Sequence, residues 1–484
     1  MAPTQEKEAA GEAAPPYDYP SVDLLKAPPV KRAVKSRFFQ FALQVPVVGA
    51  FTLAIAAGLF GAPDPGANFA TVATWTVWWV GVIILILFLG AAWCAMCPWS
   101  AVADWLERLT PWGVKEGIGL KLRWPRALRN RYPATVFFIA VTWLELGVFI
   151  TYSPLYTAYM AFMMVFLAAL TALFFERKSF CRYLCFVGGI VGMYSNLAPL
   201  EVRAKSAEVC GRCRTKDCAR GSAKGYGCPI FEYPGGMRRN TNCITCSECV
   251  KTCPYDNMTY RLRPFLADLG PSYKWRLDEA LLILTLLSLT FLHGFTMLPS
   301  WTDFAKRLFN TDYLGYMTAF TATEAGFIAA AAALHLAVSE LIRLLTGEEA
   351  SRRRGIFTAY AYALLPMAFF YHLSHNIHHL DMEGLAIIPA LSDPFGFGWD
   401  ILGVAGFTPF MIIGMGAMPL LQAVVIFTGA AACVLIAHRI SRARYGGAAW
   451  RATVPVMAAA ALYTALALLM SLQPMALRTV SQVS

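Results

Sequence analysis

Long apolar stretches, each close to twenty residues, constrain this chain more than any other feature. A helix needs about 20 apolar residues to cross a hydrocarbon core of roughly 30 Å. Nine runs of that kind lie near residues 38–60, 72–93, 133–151, 157–176, 277–297, 318–343, 356–379, 417–439 and 451–473. Hydrophobic residues make up 57% of the 484, against about 45–50% in soluble domains. The expected fold is an all-α polytopic membrane bundle of about nine transmembrane helices, interrupted by a polar α+β insert.

The net charge is +11. The basic residues do not form the single stripe that nucleic acid would require, so no nucleic-acid partner is expected. They fall instead between the apolar runs, as the positive-inside rule describes. Lys31, Arg32, Lys35 and Arg37 precede the first run, and Lys115 to Arg131 follow the second. Arg177 and Lys178 follow the fourth, Arg352 to Arg354 the sixth, and Arg439 to Arg444 the eighth. If the runs alternate, all five groups share one side; Lys306 and Arg307 are the exception. This pattern places the amino terminus and the insert in the cytoplasm of a bacterium, the bundle in its inner membrane, and lipid around it. The opening "MAPTQEKEAAGEAAPPYDYP" reads as a tail without structure or export signal. Four segments follow: a disordered tail at 1–37, a four-helix membrane domain at 38–200, the insert at 201–275, and a five-helix membrane domain at 276–484.

Twelve of the thirteen cysteines lie between Cys94 and Cys253. Cys243, Cys246, Cys249 and Cys253 are spaced C-x2-C-x2-C-x3-C with Pro254 next. Three thiolates from one tight loop suit three corners of a [4Fe–4S] cube, and in two-cluster ferredoxins the fourth serves the other cube. Cys210, Cys213, Cys218 and Cys228, followed by Pro229, form a looser upstream run. The exchange assigns Cys210, Cys213, Cys218 and Cys253 to one cluster and Cys243, Cys246, Cys249 and Cys228 to the other. Four thiolates also bind zinc, although a zinc ribbon normally uses two CxxC pairs. Two [4Fe–4S] clusters, with iron as the metal, are the expected cofactors.

Four further cysteines close apolar runs: Cys94 and Cys97 in "WCAMCPWS", Cys181 and Cys185 in "SFCRYLCFVGG". Separations of three and four put each pair on one helix face. They are either ligands of a third cofactor at the membrane edge, such as a third cluster, or packing residues. This order of motifs, over residues 38–260, resembles the membrane polyferredoxins of the NapH and NosR type, with MauN and CcoG-like oxidase-assembly proteins as relatives. In that family the membrane motif is usually C-x3-C-P, whereas here two residues separate Cys94 from Cys97 and Phe186 follows Cys185. The resemblance implies electron transfer, often from quinol, with partner subunits that carry the final chemistry.

All seven histidines follow the insert. Counting about 1.5 Å per residue puts His293 and His372 at similar depth, the geometry of a bis-histidine haem b. His372, His375 and His379 share one helix face, and His335 lies nearer the inner side, where it could ligate a second haem. Copper or another metal, a quinone site and an interfacial cluster are the other readings of the histidine face. Glu145 and Glu324 are acids within apolar runs and candidates for a proton relay. The functional expectation is an integral-membrane electron-transfer subunit, with a quinol-oxidising or quinone-reducing oxidoreductase subunit as one form of it. It would pass electrons between the quinone pool, or a haem, and the cytoplasmic clusters, beside a cytochrome or another oxidoreductase subunit. The alternative is an oxidase-assembly factor that uses its clusters to reduce copper.

Overall fold

A computed structural model describes residues 19–109, 118–270 and 274–475. The chain is polytopic and mostly helical. The apolar runs appear as α1 (Phe38–Phe60), α2 (Phe69–Leu89), α3 (Tyr132–Gly147), α4 (Pro154–Phe174), α5 (Leu277–Thr296), α6 (Tyr313–Thr346), α7 (Leu365–Glu383), α8 (Met418–Tyr445) and α9 (Ala449–Ser471). Seven helical segments among the described residues are long and apolar enough to cross a membrane, and α3 is a shorter apolar helix. One of the seven, Met418–Ser471, reverses at Gly446 (φ 55°) and packs α9 along α8. Left-handed backbone at that corner suits glycine, which has no Cβ to strain.

The chain divides into two compact units. The first joins Met1–Gly49, Leu85–Asn130 and Met164–Asp268, so the cysteine-bearing ends of α2 and α4 belong with the insert. The expected boundary at residue 200 therefore does not separate them. A three-stranded antiparallel sheet, ordered β1-β3-β2, organises this unit: β1 (Val22–Asp23), β2 (Leu200–Ala204) and β3 (Met258–Leu262). Val22 and Leu200 both pair with Leu262, on its two sides. Three short helices, Ala207–Arg212, Asp217–Arg220 and Glu248–Thr252, lie between β2 and β3 and carry cysteines.

The tail expectation needs correction. Residues 1–18 lie outside the described residues, but 22–35 form β1, a 3-10 turn and the helix Pro28–Lys35. Thr259 hydrogen-bonds Asp23, Tyr19 donates to Glu201 at 3.0 Å, and Lys31 and Lys35 reach Asp256 at 2.5 and 2.6 Å. A fully buried charge network ties the sheet to the chain beyond it: Arg203 and Arg263 both pair with Glu201 (3.4 and 3.0 Å) and with Asp268. Buried charges are retained where they are paired and hydrogen-bonded.

The second unit comprises Ala50–Ile84, Arg131–Met163 and Leu269–Ser484. Helices α5 and α7 are its interior, with nearly all their residues buried, while α8 and α9 expose Leu420, Phe427, Leu462 and Leu469. An apolar outer surface is what lipid-facing helices present. The basic exception at Lys306 and Arg307 lies on a separate amphipathic helix, Pro299–Thr311, which buries Trp301 and Ala305. Such a helix suits the membrane interface.

Candidate iron–sulfur site

Three groups of four thiols assemble in the first unit. In the first, Cys210 lies in Ala207–Arg212, Cys213 caps that helix, Cys218 lies in Asp217–Arg220 and Cys253 caps Glu248–Thr252. Backbone and amide N–H groups already point at these sulfurs. Asn257 donates from Nδ2 to Cys210 Sγ (3.2 Å) and from its backbone to Cys253 Sγ (3.3 Å), and the Lys216 N–H donates to Cys213 Sγ (3.4 Å). Burial, then the neighbouring Cys253, Cys210 and Cys213 thiols, push Cys218 up to about 12. Gly235 leaves room beside them, since a Cβ there would lie 2.9 Å from Cys210 Sγ.

The second group is Cys243, Cys246, Cys249 and Cys228. Its loop curls tightly, with Thr245 and Ser247 both at positive φ (49° and 69°). Tyr260 holds the curl by donating to the Thr245 carbonyl at 2.5 Å and hydrogen-bonding Ser247 at 2.9 Å. These thiols, with Val202, Ile230 and Met237, line one small pocket. Burial, then the Cys246, Cys243 and Cys228 thiols, push Cys249 well above its ordinary value. Cys218 of the first group is the next thiol felt at Cys249.

The third group brings Cys94, Cys97, Cys181 and Cys185 together. Cys97 precedes the helix Pro98–Arg108, and Cys185 caps Phe186–Tyr194, its Sγ accepting from the Gly188 N–H at 3.3 Å. Helix amino termini favour thiolates. A π-turn at Phe180–Leu184 carries Cys181. Burial, then Cys181, raise Cys97 to about 12; burial, then Cys181, Cys97 and Cys94, raise Cys185. Lys178, 5% exposed, sits beside this group, 2.7 Å from Asp104 and hydrogen-bonded to Ser100. Cys94 also packs against the core formed by Cys228, Ile230 and Ile244, where Cys246 packs too. The three groups thus form one file through a single unit.

The donor set fits iron–sulfur cubes. Each group offers four buried or half-buried thiols from separate turns, and cluster binding would deprotonate the thiols that burial now keeps neutral. Among the described residues, no three His, Cys, Asp or Glu side chains are drawn in closely enough to hold a single ion. Spacing alone gave no sign of Lys178, Asp104, Asn257 or Gly235 at these sites.

The histidines gather in the second unit. The His293 ring lies 5.1 Å from His375, and His375 4.8 Å from His379, centre to centre. His372 packs on Trp79 at 5.6 Å. His335 Nε2 lies 2.8 Å from the Phe357 carbonyl, with its ring against Phe357. Glu324 is buried on the same face of α6 as His335, and its Oε1 has no hydrogen-bond partner among the described residues. Glu145 is half-buried in the π-turn Trp143–Gly147 that ends α3. The His293 ring packs against His375, one turn along α7 from His372, the partner expected for a bis-histidine haem.

A family model described as a 4Fe-4S binding domain matches residues 71–116 and 157–199. Those stretches hold Cys94, Cys97, Cys181 and Cys185. Helical membrane frame, thiol groups and family match together support a 4Fe–4S electron-transfer protein. Among curated proteins the chain is similar to a putative electron transport protein, YccM, of Escherichia coli (strain K12), at 33% identity over 97 residues. That similarity covers 19% of this chain and spans 25% of the relative's length. No solved structure matches.

Proposed function

We propose that the chain is an electron conduit of the bacterial inner membrane, carrying electrons between the quinone pool and the cytoplasmic face within a larger respiratory complex. The observation behind this reading is the file of three thiol groups, each next to the following one through Cys218 and Cys249, then Cys246 and Cys94. Cys210, Cys213, Cys218 and Cys253 would hold one [4Fe–4S] cluster, Cys228, Cys243, Cys246 and Cys249 a second, and Cys94, Cys97, Cys181 and Cys185 a third. The clusters, when bound, supply one-electron carriers. The protein supplies apolar burial, N–H···S hydrogen bonds and the Lys178 charge, the factors that set cluster potentials. Partner redox subunits would donate to or accept from the ends of the file.

Iron and acid-labile sulfide analysis of anaerobically purified chain tests this directly. About twelve of each per chain is the expected result, four for each cube. Stoichiometric zinc with no sulfide refutes it. A second reading, copper handling during oxidase assembly, draws on one contact: Met297 Sδ lies 3.1 Å from His379 Nε2. Thioether and imidazole together suit copper. Tight copper binding that is lost in Met297→Leu, without quinol-dependent cluster reduction, favours that reading.

A further inference from the structure

A polar pocket lies in the first unit where α1 begins. Arg37, Arg108, Lys224 and Lys251 place cations in its wall, and Asp104 and Glu248 place carboxylates there. Both carboxylates are already taken. Asp104 pairs with Lys178 at 2.7 Å. Glu248 accepts from Lys251 at 2.8 Å through one oxygen and from the Tyr226 N–H at 2.9 Å through the other. Arg108 is held loosely by Asp104, at 3.8 Å, and its guanidinium lies over the Tyr226 ring, 3.5 Å from the ring centre. Arg37 donates from Nη2 to the Ala223 carbonyl at 2.8 Å, which leaves other guanidinium N–H groups to give. Among the described residues, neither Arg37 nor Lys224 has a carboxylate partner. Once Lys178 and Lys251 have offset the two carboxylates, Arg37, Arg108 and Lys224 remain as an excess of like charge around one pocket. An anion between them would relieve that repulsion.

The place of the pocket selects among anions. Arg37 stands immediately before α1, and Phe41 and Trp105 line the same pocket with their rings 5.6 Å apart. Large aromatic rings gather at the headgroup level of a bilayer. Val45, 45% exposed, follows Phe41 by one turn on the same face of α1, so an acyl chain leaving the pocket has apolar surface to follow. Gln40 and Gln44, which also line the pocket, both donate to the Ala95 carbonyl, at 3.1 and 3.2 Å. Ala95 lies between Cys94 and Cys97, so this wall is fixed to the third thiol group. Guanidinium groups suit phosphate because they can pair with two of its oxygens at once, and basic pockets beside membrane helices on the cytoplasmic side suit anionic headgroups.

We propose that this pocket binds a phosphate group, with an anionic phospholipid as its source. The phosphate oxygens take N–H donors from Arg37, Arg108 and Lys224, and the acyl chains lie along Phe41 and Val45. Binding requires neither quinone nor a loaded cluster, so it stands or falls apart from the electron-transfer reading.

The test uses the full chain in phosphatidylcholine nanodiscs with an increasing share of phosphatidylglycerol brominated on its acyl chains, which quenches the tryptophans it touches. Subtracting the signal of Trp105→Phe isolates Trp105. Quenching of Trp105 should set in at a much lower share of brominated phosphatidylglycerol than of brominated phosphatidylcholine. Arg37→Gln combined with Lys224→Gln should raise the share needed on the order of 10-fold; both side chains are exposed, so the fold should tolerate their loss. Arg37→Lys combined with Lys224→Arg keeps both charges and should bind nearly as the wild type does. Arg352→Gln combined with Arg354→Gln removes as many cations from another loop that the charge pattern assigns to the cytoplasmic side, and should leave the quenching unchanged. Equal weakening by the two neutralised pairs, or none by the pocket pair, overturns the proposal. Inorganic phosphate serves as competitor. Failure to displace phosphatidylglycerol supports the lipid source, whereas full displacement together with no preference over phosphatidylcholine keeps the phosphate site and overturns the lipid source.

Discussion

Lys178→Met is the most informative single change in the first unit. Lys178 Nζ lies 2.7 Å from Asp104 Oδ2, with side-chain exposures of 5% and 13%. Burial works against its charge, but Asp104 and the Cys181 thiol outweigh that and hold it protonated. At an effective dielectric near 20, a pair at that distance attracts by about 6 kcal/mol, most of it offset by desolvation. Removing one partner leaves the other uncompensated, which costs about 3–5 kcal/mol. Arg108, 3.8 Å from Asp104, still compensates in part and moves the expected loss toward 3 kcal/mol. Denaturant unfolding in detergent, followed through cluster absorbance, reads the loss for Lys178→Met, Asp104→Asn and the double variant. The double variant should cost clearly less than the sum, because no charge is then left buried alone. The same cation beside Cys97 and Cys181 favours the reduced cluster, so Lys178→Met should also lower that cluster's midpoint potential. A neutral single variant, or strictly additive costs, would show that the pair is not coupled.

Cys249→Ser and Cys97→Ser should each remove about four irons per chain, from different clusters, with distinct EPR signals lost. Gly235→Ala would set a methyl 2.9 Å from Cys210 Sγ and 2.7 Å from the Tyr233 hydroxyl. It should destabilise the first thiol group by about 1–3 kcal/mol, seen as earlier loss of its EPR signal on warming. At Asp256, burial raises the carboxyl, but hydrogen bonds from Lys31 and Lys35 outweigh it and bring it down to about 2. A depressed carboxyl stabilises above its unfolded value near 3.9, and that contribution fades as pH falls toward 2. Hydrogen exchange across residues 19–35 should therefore quicken between about pH 4 and 2, and Asp256→Asn should remove that step.

The bundle was legible because its signal is local and redundant. Each apolar run specifies its helix without help from elsewhere, and the expected runs and observed helices differ mainly at their ends. Strand β1 was not legible. Two residues, Val22 and Asp23, become a strand only because Leu262 and Arg261 offer an edge some 240 residues away, and a polar, proline-rich stretch reads as a tail when its partner is out of view. Depth counting matched His293 to His372, whereas its ring meets His375, about one turn further along α7. The count took each helix from an assumed start, and the 3-10 turn at Tyr362–Leu364 before α7 changes the rise per residue. Lys178 marked the end of a span in the charge pattern. Its second role needs Asp104 and Ser100, which approach only in three dimensions.

The two membrane-edge motifs differ in spacing, C-x2-C against C-x3-C, yet end in the same local structure. Cys97 stands before Pro98 at the start of one helix, and Cys185 before Phe186 at the start of another. In each case the second cysteine, and not the number of residues before it, sets the position, because the helix begins there and its free N–H groups face the sulfur. The first cysteine then reaches the same space by adjusting the preceding turn: a short α-turn, Ala92–Met96, before Cys97, and a π-turn, Phe180–Leu184, before Cys185. A wider turn accommodates the extra residue. It follows that inserting one residue between Cys94 and Cys97 should be tolerated, with four irons retained, if the turn can widen as Phe180–Leu184 does. Moving Cys97 one position into its helix should not be. Iron and sulfide counts on the two variants separate the outcomes. Equal loss in both would mean that spacing governs the site, and equal retention that the helix start does not matter.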